Sequence, residues 1–335
     1  MRFQHSRFRG ILYGIGYGLI IRALLAMETE WDLLDTDGLM TLTFIVLVPF
    51  IIGMVTAYQN EKIHKASRIV ALLMPVASII GVILISFLFK LEGLICSLMA
   101  IPIFAVMALI GGYVGIKLFY RDPNRISISI MMLMPLFIAP LEDHLGLSTK
   151  VFEQRTSIVI EADAAEVWKK ITRVDLISQD ENTLSLFQFL GFPRPLEATL
   201  DTVVVGGVRI ARFDRGLFFT ETITELDPLK VLAFSIETDP ASIPPSALDE
   251  HVMVGGNYFD VLEGRYELYP IGTDSIRLDL TSRFRLSTDF NFYSGPWSQW
   301  IMSDIQENIL GVIKNRCERS SNVHVMRGEF DRRSR

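Results

Sequence analysis

Asp260 is the residue whose type and setting come closest to chemistry. Alternation along Phe259–Tyr269 places it on one strand face with Leu262, Gly264, Tyr266 and Leu268. A carboxyl in such apolar company has its pKa raised and can serve as acid or base near neutral pH. Tyr258 and Tyr266 would orient a carbonyl or hydroxyl beside it. The plainer alternative puts Asp260 in water at a cavity mouth, near the Gly255-Gly256-Asn257 turn. Arg212 shares parity with Val208 and Ile210. It either points inward to hold an acidic headgroup or pairs with an acid on the outer face. The five histidines, His5, His64, His144, His251 and His324, are never spaced i, i+4 and never fall in a strand, so no metal site is expected. Cys96 and Cys317 fall in different halves and suggest neither a disulfide framework nor a cysteine zinc site. Gly206-Gly207 and Gly255-Gly256 lack the strand–GxGxxG–helix context, so no nucleotide or other cofactor is expected.

A hairpin must position Asp260 and Tyr266. If Glu267 opposes Arg277 and Arg265 opposes Asp279, one face carries opposite-charge pairs, as cross-strand pairing favours. That face is the solvent side. The other then carries Leu268 with Ile276, Tyr266 with Leu278, Gly264 with Leu280, Leu262 with Ser282, and Asp260 with Phe284.

The surrounding elements follow from period and breakers. Thr156–Ala162 reads as a strand. Asp163 is the N-cap of a helix over Ala164–Val174, with Glu166 completing a capping-box pattern. Val167, Trp168 and Ile171 share one face of it. A short helix over Leu184–Leu190 stops at Gly191, before Pro193 and Pro195. Six strands follow: Glu197–Val205, Val208–Asp214, Leu217–Leu226, Val231–Glu237, Phe259–Tyr269 and Ser275–Leu286. Gly206-Gly207 reads as a two-residue hairpin turn and Asp227-Pro228 as another turn. Trp297–Glu318 is a long helix whose stripe is Trp297, Ile301, Ile305, Ile309, Val312 and Ile313, with Gln306 on the far side. The charged end of the chain, 321–335, reads as a loose tail. The stretch Asp239–Asn257 is long for a hairpin connection and carries Ile243, Leu248, Val252 and Met253, so it reads as a lid or a crossover.

This half resembles the START-like (SRPBCC) superfamily, including its polyketide cyclase/dehydrase group. The resemblance rests on TSIVIEADAAEVWKKIT, GGVRIARFDRGLFFTETITELDPLKVLAFSI, GRYELYPIGTDSIRLDLTSRF and WSQWIMSDIQENILGVIKNRC, and covers Thr156–Arg319. It implies an α+β helix-grip fold, a curved antiparallel seven-stranded sheet around a long C-terminal helix, over 151–320. It also implies an apolar cavity between helix and sheet. In these terms the ligand-contacting residues are Trp168, Arg212, Tyr258, Tyr266, Leu278, Ser282, Phe284, Trp297, Ile301 and Ile305.

Residues 1–150 are of another kind. The chain of 335 residues is 50% hydrophobic and 21% charged, with a mean hydropathy of +0.35. Soluble domains carry about 25% charge. The first 150 residues have a net charge of +2 and the remainder −8, which suits two domains in two solvents and argues against a nucleic-acid partner. Apolar stretches at 11–27, 39–58, 69–89, 93–116 and 126–141 read as an all-α transmembrane bundle of four to five helices, the last stretch being short for a span. Pro49, Pro75, Pro102 and Pro135 are tolerable inside it. Arg2, Arg7 and Arg9, then Lys62, Lys65 and Arg68, then Lys117, Arg121 and Arg125 alternate with the acidic loop Glu28–Asp37. This places the N-terminus in the cytoplasm of a bacterial inner membrane and, if 126–141 crosses, the second domain outside it. Arg22 is expected to reach back to the interface, with no second buried charge beside it. Gly10, Gly14 and Gly18 form a packing seam, within the bundle or between copies.

Three functions compete at this stage: a membrane-anchored domain binding a lipid or other hydrophobic small molecule, a cyclase or dehydratase using Asp260 and Tyr266, and a ligand-sensing membrane protein.

Overall fold

The computed structural model describes residues 5–26, 40–59, 68–119, 125–143, 148–182, 185–238, 254–272 and 274–333. The acidic loop Glu28–Asp37, Lys62, Lys65 and Arg121 lie outside them, as do 239–253 of the long connection and the side chains of the five histidines. The chain divides into two units. Met1–Ser148 with Thr288–Phe290 form one; Thr149–Ser287 with Asn291–Arg335 form the other.

The first unit is a bundle of five helices: α1 (His5–Leu25), α2 (Val48–Gln59), α3 (Arg68–Leu88), α4 (Leu94–Phe119) and α5 (Arg125–Asp143). A π-helical turn, Thr43–Leu47, runs into α2. Pro49 has no N–H to donate, which favours this widened turn just before it. All five expected apolar stretches are helical. Among the described residues one segment, Leu94–Leu118, is long and apolar enough by length and composition to cross a membrane.

The bundle buries polar groups and exposes apolar ones. Thr56 and Ser78 meet at 2.9 Å inside it, and Tyr17 donates to the Met132 carbonyl at 3.0 Å. Leu84, Leu88 and Phe137 face outward. Arg22 lies in the last turn of α1, against the α3–α4 turn. It is buried and bonds Glu92 through Nε at 3.1 Å and Nη2 at 2.9 Å. The second charge that the sequence seemed to lack is Glu92, 70 residues away in the α3–α4 turn. At α5, the Glu142 carboxylate accepts from the N–H groups of Leu42 and Thr43 and from the Thr43 hydroxyl at 2.7 Å. These contacts gather the ends of α1, α3 and α5 and the starts of α2 and α4 at one end of the bundle.

Gly14 lies inside the bundle, where an added Cβ would come 2.3 Å from Thr56 Oγ1. Gly18 faces Ile52 and Val82, and Gly10 is buried. That seam is therefore taken up within one chain. A tighter one joins α2 to α4, where a Cβ on Gly111 would sit 1.9 Å from the Phe50 carbonyl oxygen.

The second unit begins with β1 (Thr149–Ile160), α6 (Ala164–Thr172) and α7 (Leu186–Phe189). It continues with β2 (Pro195–Leu200), β3 (Val208–Phe213), β4 (Phe218–Asp227), β5 (Val231–Glu237), β6 (Phe259–Pro270) and β7 (Ile276–Ser287). It closes with α8 (Asn291–Arg333). The strands form one seven-stranded sheet in the order β1-β7-β6-β5-β4-β3-β2, antiparallel throughout. Asp163 caps α6, accepting from Glu166 N–H at 2.7 Å. The apolar core runs from Ile160, Ile223, Leu232 and Leu278 on the sheet to Leu310 and Ile313 on α8.

Four sequence expectations change here. The β6–β7 register is two residues off: Glu267 faces Asp279, and Tyr269, not Glu267, faces Arg277. Two like charges stand opposite each other because β1 supplies Arg155 between them. Its guanidinium bonds Asp279 and lies 3.5 Å from Glu267. A two-strand argument cannot see a third strand. The strand β2 ends at Leu200, so Gly206-Gly207 closes a seven-residue connection, Asp201–Gly207, and not a two-residue turn. The Asp201 carboxylate ties that connection by accepting from Val208 N–H at 2.9 Å. The last helix starts six residues early, and the tail expected to be loose is helical as far as Arg333.

Candidate functional site

A buried ion pair sits on the inner face of the sheet. Arg209 of β3 and Glu221 of β4 are direct cross-strand partners. Their side chains are 4% and 7% exposed and are joined through Arg209 Nη1. The guanidinium lies 5.3 Å over the Phe234 ring, with Nη2 directed at the Ile171 carbonyl of α6 at 3.5 Å. Its Nε has no partner. The Tyr266 hydroxyl approaches the same guanidinium. Burial pushes the Glu221 carboxyl above the ordinary carboxylate range, with Arg209 pulling the other way. Burial likewise raises the Tyr266 phenol, against the pull of Arg209. A pair of this kind, set against the Phe234 ring and the Ile171 carbonyl, gains little net stability from its own attraction, because both charges have left water.

Of the two alternatives for Arg212, inward or paired with an acid on the outer face, the structure has the second, and Arg209 takes the inward position. In β3 the buried residues are Arg209 and Ala211, whereas Arg212 is exposed and pairs with Glu197 at 3.6 Å. The apolar Val208 and Ile210 lie on the outer face and misled the alternation. A different signal was present in the sequence. Pairing Arg209 with Glu221 across the Gly216 turn gives the opposite-charge match that cross-strand neighbours favour.

Asp260 is displaced from the expected constellation. A bulge between Val261 and Glu263 reverses the faces, so Val261 meets Phe284 inside and Asp260 opposes Arg285 outside. One carboxylate oxygen of Asp260 is buried without a hydrogen bond, and burial raises its pKa against the pull of Arg285. The direction agrees with the sequence reading; the location does not. Tyr266 belongs to the core around Leu278, and Phe284 to a second core with Leu217, Leu286 and Met302. Asp260 and Tyr266 therefore do not form an acid–phenol pair. Tyr258 is half-buried, and its carbonyl accepts from Ser287 N–H at 2.9 Å.

The remaining expected contacts divide. Leu278 and Phe284 are buried inward, and Trp168 packs on the first core. Ser282 is buried and accepts from Gln306 Nε2 at 2.9 Å. Helix α8 keeps Val312 and Ile313 of the expected stripe buried, each 1% exposed, but its first half is turned by about one residue, or 100°. Its buried line is Met302, Gln306, Leu310, Ile313 and Cys317, while Trp297, Ile301 and Ile305 are only half-buried. Gln306, assigned to the wet face by its polarity, is 1% exposed. It accepts from Thr156 at 2.7 Å and donates to the Gln154 carbonyl at 3.1 Å as well as to Ser282. Beside α8 lies a cleft of about 480 Å³ lined by Thr156, Ile158, Ser185, Asp304, Glu307 and Asn308. No group of three or more metal-ligating side chains occurs among the described residues.

No protein-family model matches the sequence, and no curated protein matches it. Among solved structures the chain is similar to a START superfamily protein from Mycobacterium smegmatis, with 11% identity over 50% of this chain and 97% of that one, at a TM-score of 0.34. It is similar to the Zhui aromatase/cyclase of Streptomyces sp. R1128, with 19% identity over 51% and 95%, at 0.31. It is also similar to a point mutant of norcoclaurine synthase from Thalictrum flavum, with 13% identity over 51% and 98%, at 0.30. The strand order and the closing helix are what carry the fold: from Thr149 onward, the chain has a helix-grip arrangement, one seven-stranded antiparallel sheet closed by a long helix.

Proposed function

We propose that the helix-grip unit binds a small, largely apolar molecule with one polar end, and that the helical unit anchors it in a bilayer. The observation that carries this reading is the Arg209–Glu221 pair, with Tyr266 beside it and Arg209 Nε unpartnered in an apolar interior. A core that served only to fold would be as stable or more so with apolar residues at both positions. A ligand hydroxyl or carboxylate would engage the free Nε and the phenol, and its apolar body would lie along the aromatic inner face. Arg209 thus takes the headgroup role that was one of the two alternatives for Arg212. Leu278, Phe284 and Trp168 stay as apolar contacts, and Ser282 with Gln306 forms a second polar point. With Asp260 on the outer face, binding is favoured over cyclase or dehydratase chemistry.

The bilayer is proposed from the inverted burial of the helical unit, with polar groups inside and leucine and phenylalanine outside. Only 22% of the Leu94–Leu118 window is buried, whereas a core helix of a water-soluble protein would be mostly covered. With Arg2, Arg7 and Arg9 in the cytoplasm, five crossings put the helix-grip unit on the other side, and a cytoplasm-only reporter fused after Arg335 stays silent.

Native mass spectrometry of the full chain in detergent tests the binding reading. A co-purifying small molecule is expected on the wild type and is lost from Arg209→Met/Glu221→Leu, which removes both charges together. A double variant that keeps the molecule, or a wild type that never carries one, overturns the proposal.

A further inference from the structure

From Asn291 to Ile313, α8 carries no lysine or arginine, and the acids on that stretch are Asp304 and Glu307. Spaced i, i+3, they are neighbours on one face of the helix. Both line the cleft between α8 and β1. The next cations along the helix are engaged elsewhere, Lys314 with Glu318 and the Val159 carbonyl, and Arg316 with Glu181. Glu307 is exposed and accepts from the Ser303 hydroxyl at 3.2 Å. Asp304 lies deeper. It bonds the Ser185 side chain, and its Oδ2 is buried with no hydrogen-bond partner. Burial pushes the Asp304 carboxyl above the ordinary range; the Ser185 bond pulls it down, and the Glu307 charge adds to the rise. A buried acceptor left open costs free energy, and a second acid beside it adds to that cost. A cation bound between the two would relieve both.

The geometry points to a site for a small organic amine in this cleft, with its ammonium held between Asp304 and Glu307 and its carbon body against Ile158 and Leu310. An ammonium brings donors and no acceptor. It suits a site whose oxygens are two carboxylates and the hydroxyls of Ser185 and Thr156. The last torsion of an aspartate is soft, so a small turn of the carboxyl brings Oδ2 to a cation entering beside Glu307. A bare metal ion fits less well. Among the described residues no third carboxylate, histidine or cysteine joins the two acids, and a divalent ion takes six or more oxygen ligands. The cleft, at about 480 Å³, has the volume of a small-molecule site. It shares no residue with the Arg209–Glu221 pair, and this inference does not rest on the ligand reading of that pair.

Ligand-observed NMR titration of the full chain in an uncharged detergent tests this, with butylamine and its neutral counterpart 1-butanol as probes and detergent alone as the blank. Butylamine is expected to bind about tenfold or more tightly than 1-butanol, as charge-assisted hydrogen bonds to a carboxylate imply. Asp304→Asn and Glu307→Gln should each abolish that preference. Glu307 is exposed, so Glu307→Gln keeps the test decisive if Asp304→Asn does not fold. Arg209→Met/Glu221→Leu should keep the preference. Equal binding of the two probes, no binding of butylamine, or a preference that survives Glu307→Gln overturns the proposal. Loss of the preference in Arg209→Met/Glu221→Leu would place the amine at the inner pair and overturn it as well. Calcium chloride that binds more tightly than butylamine and displaces it would make this a metal site, with the same result.

Discussion

In the helical unit Thr56 and Ser78 meet inside while Leu84 and Phe137 look out; in the helix-grip unit Leu278 and Phe284 are inside while Arg155 and Arg277 look out. The same chain thus sorts its side chains by two opposite rules. Each unit also buries an arginine beside a carboxylate. Arg22 is buried in the first beside Glu92, and Arg209 is buried in the second beside Glu221. The difference lies in how the two are completed. Arg22 sits at the end of α1 and also bonds the Leu91 carbonyl, so it ties the ends of helices together. Arg209 sits mid-strand in a water-type core and retains an unpartnered Nε. The first arginine is a structural clasp; the second is the one with capacity left for a ligand.

The largest expected effect comes from breaking the second pair on one side only. Glu221→Leu leaves a buried, uncompensated guanidinium and is expected to cost about 3–5 kcal/mol in unfolding free energy. Adding Arg209→Met should recover most of that loss. Chemical unfolding of the four proteins of this cycle measures it. If Glu221→Leu is tolerated by itself, the pair is wetter than its burial implies, and the contrast with Arg22 disappears.

The next effect belongs to the helical unit. Gly111→Val pushes a side chain into the Phe50 carbonyl across the α2–α4 seam. Backbone cannot yield as a side-chain tip can, so a loss of about 1–3 kcal/mol or more is expected. Gly16→Ala is the internal control, since a Cβ there meets nothing within 4 Å. It should be neutral or stabilise by about 0.5–1 kcal/mol through helix propensity. Thermal unfolding in detergent separates the two. Equal effects would mean that α2 and α4 do not approach closely.

Helices α3, α4 and α5 were legible to within three residues, because a long apolar run bounded by charge has few alternatives, whereas α1 starts six residues before its apolar run and α2 nine residues into its own. Strand existence and order in the second unit were also legible, through alternation and turn residues. What failed was orientation. In β3 the apolar Val208 and Ile210 are outward and Arg209 is inward, so hydrophobic parity pointed the wrong way. In β6 one bulge beside Leu262 moved Asp260 off the inner face. In α8 the buried line includes Gln306, whose polarity is satisfied by Thr156, Ser282 and the Gln154 carbonyl from other strands. The partners of Gln306 lie 24 to 152 residues away, which local pattern cannot supply, whereas Glu221 stands 12 residues from Arg209 across one turn and was within reach of a cross-strand argument.

A smaller effect tests the outer face. Arg155 bonds Asp279 through Nε at 3.1 Å, and Arg277 lies 3.3 Å from the other Asp279 oxygen. A double-mutant cycle on Arg155→Ala and Asp279→Ala should show coupling of up to about 1 kcal/mol. The same cycle on Glu267 and Arg277, which the two-strand register would have paired, should show none. Coupling in the second cycle alone would restore that register and undo the three-strand account.

The smallest effect is a pH dependence confined to the helix-grip unit. Arg316 of α8 grips Glu181 with two bonds of 2.8 Å, through Nε and Nη2, and donates to the carbonyls of Asp175 and Leu176. Ser178 adds its N–H and its hydroxyl to the same carboxylate. These bonds, with Arg316 foremost, bring the Glu181 carboxyl from 4.5 down to about 2. The sign follows from its being an acid with a depressed folded pKa. Its contribution is full above the unfolded value of 4.5 and is lost as pH falls from there through about 2. The site is partly wet, so the contribution is set at about 0.2–1 kcal/mol, as for ion pairs near the surface. Arg316→Gln should therefore lower stability at neutral pH by that amount and leave it nearly unchanged near pH 2, where the wild type has lost the interaction as well. A carboxyl titration followed by NMR should show Glu181 moving back toward its ordinary range in the variant. If Arg316→Gln instead destabilises equally at both pH values, the carbonyls of Asp175 and Leu176, and not the carboxylate of Glu181, are what Arg316 serves.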